Sequence, residues 1–305
     1  MKRFVVVTLA SLALLAGAAA ASTGSQPTGR IVFGMNHFCL TQGGNGGGKV
    51  PVDCGKGEIA VVNADGSGLR VLTHDKVTEV SPRWSPDHRQ IAFVKPRAHT
   101  SSQIWVMNAD GSNQRVLVRS ANAHPFYGED EVPSLDWSPN GRQIVFTAFT
   151  GLNGGREQLY LASVRTGHVT RLTYAATGAT DPVWSPDGRW IAFVGAVAPD
   201  RIYLLSTKTH RIHALGNATG MTLGWSPDSK QLAYNFRGKL ELLNVVTRRY
   251  HSLGVWGDQP SWSPDGRWLV FTYGDYLKEI RPDGTGIRHI LYVSSKKGWN
   301  FQPDW

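Results

Sequence analysis

The densest run of chemistry-bearing side chains is His124-Pro125-Phe126-Tyr127-Gly128-Glu129-Asp130-Glu131. One imidazole, two aromatic rings and three carboxylates stand together in a chain whose formal charge is +9. Such a group suits a cation, an amine or a basic partner segment, although clustered acids also occur on idle solvated loops. Trp256, Asp258, Trp299 and Phe301 form a second set, able to stack on glycan or peptide or to cap internal packing. Asp181 adds a carboxylate just before a strand, and Lys95, Arg97, Arg156, Arg201 and Arg237 supply scattered positive charge. Cys39 and Cys54 are a close, even pair, read as a disulfide outside the cytoplasm or as half of a zinc site with His37. The ten histidines show no metal-ligand pair on one strand.

Other chemistries leave no trace. A Gly-x-Ser-x-Gly nucleophile elbow is absent. Ser185-Pro186-Asp187-Gly188-Arg189-Trp190 is too short for a sialidase Asp box. Asp65-Gly66-Ser67, Asp110-Gly111-Ser112 and Asp283-Gly284-Thr285 resemble calcium loops but lack the distal glutamate, so they read as turns. The positive charge is spread without dense Lys/Arg runs, which argues against nucleic acid and allows an anionic envelope polymer.

A repeat must position these groups. Trp84, Trp137, Trp184, Trp225, Trp262 and Trp305 each end a segment, and five of them continue as Trp-Ser-Pro. An apolar triplet follows, such as Ile91-Ala92-Phe93, then a third strand such as Ile104-Trp105-Val106-Met107, a turn, and a fourth strand such as Arg115-Val116-Leu117. Four short antiparallel strands per repeat predict an all-β, six-bladed β-propeller. The first blade lacks its own tryptophan segment. Gln302-Pro303-Asp304-Trp305 is therefore expected to pair beside Ile31 to Phe33, so that the N- and C-terminal strands close the ring. The blade tryptophans are expected to pack between neighbouring blades.

Spacing distinguishes the two rims. Each of the first five Trp residues stands seven positions before the next strand, as from Trp84 to Ile91, and third-strand starts stand thirteen before the fourth-strand core residue, as from Ile59 to Leu72. The other two connections vary, with long loops expected at Gly34 to Glu58, Lys95 to Ser102, Val118 to Pro133 and Phe149 to Glu157. Because strands alternate in direction, constant turns share one rim and variable connections share the other, which is the expected working surface.

Pro182-Val183-Trp184-Ser185-Pro186-Asp187-Gly188, with Asn108-Ala109-Asp110-Gly111-Ser112, resembles the TolB-type propeller repeat of bacterial envelope proteins over residues 30–305. The family's namesake carries an α/β domain before its propeller and works with a peptidoglycan-associated lipoprotein. Here residues 1–21 read as a secretory signal, with Lys2 and Arg3 before an apolar run, and 22–29 as a short linker. No apolar segment is long enough for a membrane span.

The expectation is an exported, periplasmic or extracellular, soluble monomer. It binds a protein or anionic polymer through the variable rim, without catalytic residues, a cofactor or nucleic acid. A propeller hydrolase or lactonase with calcium or zinc in the central channel is the second reading, by fold analogy.

Overall fold

The computed structural model describes residues 29–42, 49–74, 77–96, 102–119, 134–149, 156–176, 178–195, 201–215, 222–292 and 302–305, without the side chains of 36–42, 49–56 and 149. All regular elements among them are strands or turns. Blade 1 holds β1 (Arg30–Gln42), β2 (Lys49–Asn63) and β3 (Arg70–Val71). Blade 2 holds β4 (Val80–Trp84), β5 (Gln90–Lys95), β6 (Gln103–Asn108) and β7 (Arg115–Val118). Blade 3 holds β8 (Leu135–Trp137), β9 (Gln143–Phe149), β10 (Glu157–Ser163) and β11 (Val169–Arg171). Blade 4 holds β12 (Thr180–Trp184), β13 (Trp190–Val194), β14 (Ile202–Ser206) and β15 (Ile212–Ala214). Blade 5 holds β16 (Leu223–Trp225), β17 (Gln231–Phe236), β18 (Lys239–Asn244) and β19 (Tyr250–Trp256), and blade 6 holds β20 (Asp258–Trp262), β21 (Leu269–Tyr273), β22 (Tyr276–Ile280) and β23 (Arg288–Tyr292). Every pairing within a blade is antiparallel.

Five blades are complete four-stranded sheets, and blade 1 has three strands of its own. The chain end supplies the fourth. The Val32 N–H donates to the Asp304 carbonyl and the Asp304 N–H returns to Val32, both at 2.8 Å. The expected closure and the six-bladed propeller are thus both present.

The constant rim owes its regularity to one turn device. In blade 2 the Ser85 hydroxyl donates to Asp87 at 2.6 Å and accepts the Gln90 N–H at 2.9 Å, while Asp87 also accepts the Arg89 N–H. Ser138 with Asn140, Ser185 with Asp187, Ser226 with Asp228, and Ser263 with Asp265 repeat it. Side-chain bonds of this kind are why Ser and Asp favour turns. The Asp-Gly-Ser turns work likewise: Asp65 and Asp110 each accept the N–H and hydroxyl of the serine two residues on, and Asp283 does so with Thr285. These bonds hold all three carboxyls below their ordinary range.

The core is laid down between blades. Trp84, Trp137, Trp225, Trp262 and Trp305 are all buried, as expected. Trp184 is only half-buried. Its seam differs from the rest.

Two expectations need correction. Gly34 to Glu58 is not a loop: β1 and β2 continue as one long hairpin, paired from Arg30↔Asn63 out to Gln42↔Lys49. Strand formers such as Val50 and Val52 suit the extended backbone of β2. Lys95 is not a rim charge. Its ammonium is buried, 2.9 Å from the equally buried Glu79 carboxylate, and lies 4.5 Å from the Trp105 ring centroid.

Trp305→Ala should lower stability by about 3–5 kcal/mol, since it empties a large buried side chain at the ring's junction. Chemical denaturation measures it, and a loss below 1 kcal/mol would mean that the junction carries little. Gly224→Ala should cost about 1–3 kcal/mol. A Cβ there would stand 2.5 Å from the Pro260 carbonyl oxygen of the neighbouring blade, and backbone cannot swing aside. The same denaturation series reads this variant, and an unchanged midpoint would refute the close approach.

Candidate functional site

The innermost strands set two rings of side chains around the central channel, because each blade ends its first strand at the same tryptophan. One position before it stand Asp304, Arg83, Asp136, Val183, Gly224 and Ser261, from blade 1 to blade 6, and all six line a cavity of about 150 Å³. Three positions before it stand Gln302, Ser81, Ser134, Asp181, Thr222 and Gln259, all polar. This second ring lies towards the variable rim, where the inner strands begin.

The inner ring is a relay of contacts between neighbouring blades. The Trp84 N–H of blade 2 donates to Asp304 Oδ2 of blade 1 at 2.7 Å, and the Trp184 N–H of blade 4 to Asp136 Oδ2 of blade 3 at 2.6 Å. The Trp137 and Trp225 indole N–H groups donate to the carbonyls of Arg83 and Val183, each at 3.1 Å. The Trp305 N–H reaches Ser261 Oγ at 3.3 Å, and Ser261 Oγ lies 3.4 Å from Asp304 Oδ1. Arg83 spans the junction, donating to the carbonyl of Gln302 at 3.2 Å.

Charge at this level is lopsided. Arg83 stands between Asp304 and Asp136, and its guanidinium draws down the pKa of Asp136, Asp181 and Asp304. Desolvation wins all the same. The three carboxyls keep a little surface open to the channel but are otherwise enclosed by protein, which penalises their charged form. Asp136 is pushed up to about 7, with repulsion from Asp304 adding to burial. Asp181 is likewise pushed up to about 7, against the pull of its bond from Ser134. Asp304 is also raised by burial.

The outer ring is stitched together side by side. The Ser134 hydroxyl donates to Asp181 Oδ1 at 2.5 Å, the Gln259 N–H to Thr222 Oγ1 at 3.1 Å, and the Gln302 N–H to Gln259 Oε1 at 2.8 Å. Ser81, Asp181, Gln259 and Gln302 all have positive φ, between 29° and 54°. Backbone strain repeated at one register, in non-glycine residues, marks a position held by its surroundings. Ser81 Oγ, Asp181 Oδ2 and Gln302 Oε1 are buried there without a hydrogen-bond partner. Buried polar atoms left in this way call for an explanation.

Among the residues singled out from sequence, Asp181 belongs to this outer ring. Asp258 is exposed beside it, accepting the Thr222 hydroxyl at 2.8 Å. Trp256 is 56% exposed at the end of β19, its ring packed over Gly238, where any Cβ would meet it at 2.6 Å, with Lys239 Nζ at 5.7 Å from its centroid. Arg156 is exposed immediately before β10. Arg97, His124, Phe126, Tyr127, Glu129, Asp130, Glu131, Trp299 and Phe301 lie outside the described residues, as does the proposed signal. Cys39 and Cys54 fall in the long hairpin, but their side chains are not among those described. Sequence reading missed Ser81, Ser134, Thr222, Gln259 and Gln302 as a set, and also the inner trio of Arg83, Asp136 and Asp304. The signal was a polar residue three places before every blade tryptophan. Among the described residues no group of three or more His, Cys, Asp or Glu is arranged to hold a metal.

The family model of the TolB beta propeller domain matches residues 52–279. The chain is 27% identical over 243 residues to the uncharacterized peptidase YuxL of Bacillus subtilis, covering 73% of this chain and 34% of that protein. It is 26% identical over 242 residues to dipeptidyl-peptidase 5 of Porphyromonas endodontalis, covering 71% and 32%. It therefore spans about a third of the length of these curated relatives. Among solved structures, TolB from Acinetobacter baumannii superposes with a TM-score of 0.66 at 20% identity, over 91% of this chain and 66% of that one. At that identity the likeness shows the fold.

The buried acids give stability a pH signature. Asp136 and Asp181 titrate near 7 when folded, above the ordinary carboxyl value near 4. Their contribution is complete below about pH 4 and lost as pH rises through about 7. The turn aspartates are held low, so theirs is lost only below about pH 4. The melting temperature should therefore fall between pH 5 and pH 8.5, and Asp136→Asn should flatten the fall. A melting temperature that climbs over this window would contradict the assignment. The repeat register that places these acids is also what the family model matches across most of the length: the chain belongs to the TolB beta propeller domain family.

Proposed function

We propose that this chain is an exported, non-enzymatic binding or scaffold protein that takes a protein partner at the variable rim, over the mouth of the central channel. The observation that carries this reading is the outer polar ring with its three unpartnered atoms, Ser81 Oγ, Asp181 Oδ2 and Gln302 Oε1. Asp181 Oδ2 in its ionised form and Gln302 Oε1 are acceptors, and Ser81 Oγ accepts as readily as it donates. Ser134, Asp181, Thr222 and Gln259 of the same ring are half-buried and present polar groups to a ligand with N–H groups, such as the backbone and basic side chains of a polypeptide segment. The ring is rigid and lies inside a closed propeller, so little ordering is needed on the protein's side. Exposed Asp258, bonded to Thr222 of the ring, and exposed Trp256 at the end of the outer strand β19 extend the surface available to a partner on the same rim.

The family resemblance supports an envelope protein as the partner, and the charge of +9 keeps an anionic envelope polymer as the second candidate. Export rests on the leader-like residues 1–21; no helix among the described residues is long and apolar enough to cross a membrane. Hydrolase or lactonase chemistry on a channel calcium or zinc remains the competing class, and activity of the peptidase relatives stays with those longer proteins.

A photo-crosslinking amino acid placed at Trp256 or Asp258, and separately at Arg165 on the constant rim, decides which rim is used. With envelope extract from the producing cells, one adduct of the same mass should form from the first two positions and not from the third. Asp181→Asn, which tolerates the same backbone angle, should weaken that adduct at least fivefold. Adducts from Arg165 alone, or metal-dependent turnover of ester substrates by the purified chain, would overturn the reading.

A further inference from the structure

The six seams between blades are not equivalent. In several of them the turn between a blade's third and fourth strands presses on the fourth strand of the blade before it. A Cβ at Gly66, Gly111 or Gly167 would stand 2.6, 2.6 and 2.7 Å from the carbonyl oxygens of Ile290, Leu72 and Leu117 respectively. Only glycine allows that approach, and each of these glycines has positive φ. Blade 4 breaks the rule. Its turn has the shape of blade 3's: the His210 N–H donates to the Ser206 carbonyl at 2.8 Å, as Gly167 does to Ser163 at 2.7 Å, with φ of 55° against 70°. His210 therefore stands where blade 3 has glycine, and its Cβ bars the turn from closing on Leu172.

The tryptophan does not fill the space that remains. Arg248 replaces the glycine in blade 5, yet there Trp225 is 7% exposed and its indole donates across the seam to the Val183 carbonyl. In blade 4 the half-buried Trp184 directs its ring N–H to Gly188 of its own turn, at 3.5 Å. The result is a cleft of about 410 Å³ between blades 3 and 4, opening on the constant rim. Its interior is formed by Trp184, Ile191, Leu205 and Leu172, and its mouth by His168 and His210. That volume falls in the range of small-molecule sites, about 300–1,000 Å³.

Charge around the mouth has one sign. Arg142, Arg165, Lys208 and Arg211 are all exposed on the turns that border the cleft. The acid on the adjoining turn, Asp187, is bound by Arg189 at 2.7 Å. We propose that the seam between blades 3 and 4 is a binding site for a small aromatic carboxylate, its ring against the Trp184 indole and its anionic group at the mouth beside His168 and His210. The site lies on the rim opposite the channel mouth and does not depend on the protein-binding role proposed above.

Calorimetric titration with 2-naphthoate, and with the neutral 2-naphthylmethanol, tests it on the whole chain. Naphthoate should bind saturably, at least tenfold more tightly than the alcohol. His210→Gly, which lets the turn close as in blade 3, should weaken naphthoate at least tenfold without lowering the melting temperature. Leu172→Trp, which fills the cleft, should weaken it as much; its circular dichroism shows whether it folds, and His210→Gly decides alone if it does not. Absence of saturable naphthoate binding up to millimolar concentration, equal binding of the alcohol, or full affinity in His210→Gly would each overturn the proposal.

Discussion

The whole architecture hangs on a carboxylate at the last residue but one. Asp304 pairs its backbone with Val32 and gives its side chain to the Trp84 N–H, so a single residue joins the chain's end to blade 1 and blade 1 to blade 2. A sheet edge left open there would expose unpaired N–H and C=O groups. Closing it makes the six blades one ring, and a ring holds its central register far more firmly than an open stack of blades would. The interior burial that drives folding is non-directional. The Asp304 and Asp136 bonds to the following blades' main chain add direction at two seams, orienting blade 2 on blade 1 and blade 4 on blade 3.

That constraint explains why the channel is polar although the blades around it are apolar. The first strand of each blade must present backbone or side-chain partners to its neighbour; charged or polar residues stand at four of the six inner positions, and Val183 serves through its carbonyl. The outcome is an enclosed group of acids with raised pKa around one guanidinium, an arrangement that would be unstable without Arg83. Three positions out, the same geometry gives a second ring with strained backbone and unsatisfied atoms. Strain and unmet hydrogen bonds gather where the fold is least able to satisfy itself, which is also where a partner gains most.

Much of this was legible in the amino-acid sequence. Trp-Ser-Pro-Asp-Gly repeats declare themselves because Ser185, Asp187 and Gly188 each meet a local demand: a hydroxyl bridge, a turn acceptor and a positive φ. Local demands are written in adjacent residues. Closure was legible because Trp305 ends the last repeat and Ile31 begins without one. Lys95 was not, since its partner Glu79 is distant in sequence and becomes a neighbour only through the β4–β5 pairing. The hairpin of β1 and β2 was hidden because a glycine-rich sequence reads as a loop, while the pairing from Arg30 to Gln42 is set by the partner strand. The outer ring was hidden because six different contexts use four residue types at one register, and only the superposed repeats show that all are polar. The open seam was harder still: His210 is an ordinary turn residue until its backbone angle places it on Gly167.

Native-state hydrogen exchange at individual amides tests the closed ring most directly. If the Asp304 junction bolts the blades together, the Val32 and Trp84 amides should exchange as slowly as Ile91 and Phe93 in the middle of blade 2, all released by one cooperative opening. Rapid exchange at Val32 and Trp84, by a local opening that leaves Ile91 and Phe93 protected, would show that the terminal strand frays and that the ring is held by something other than this junction.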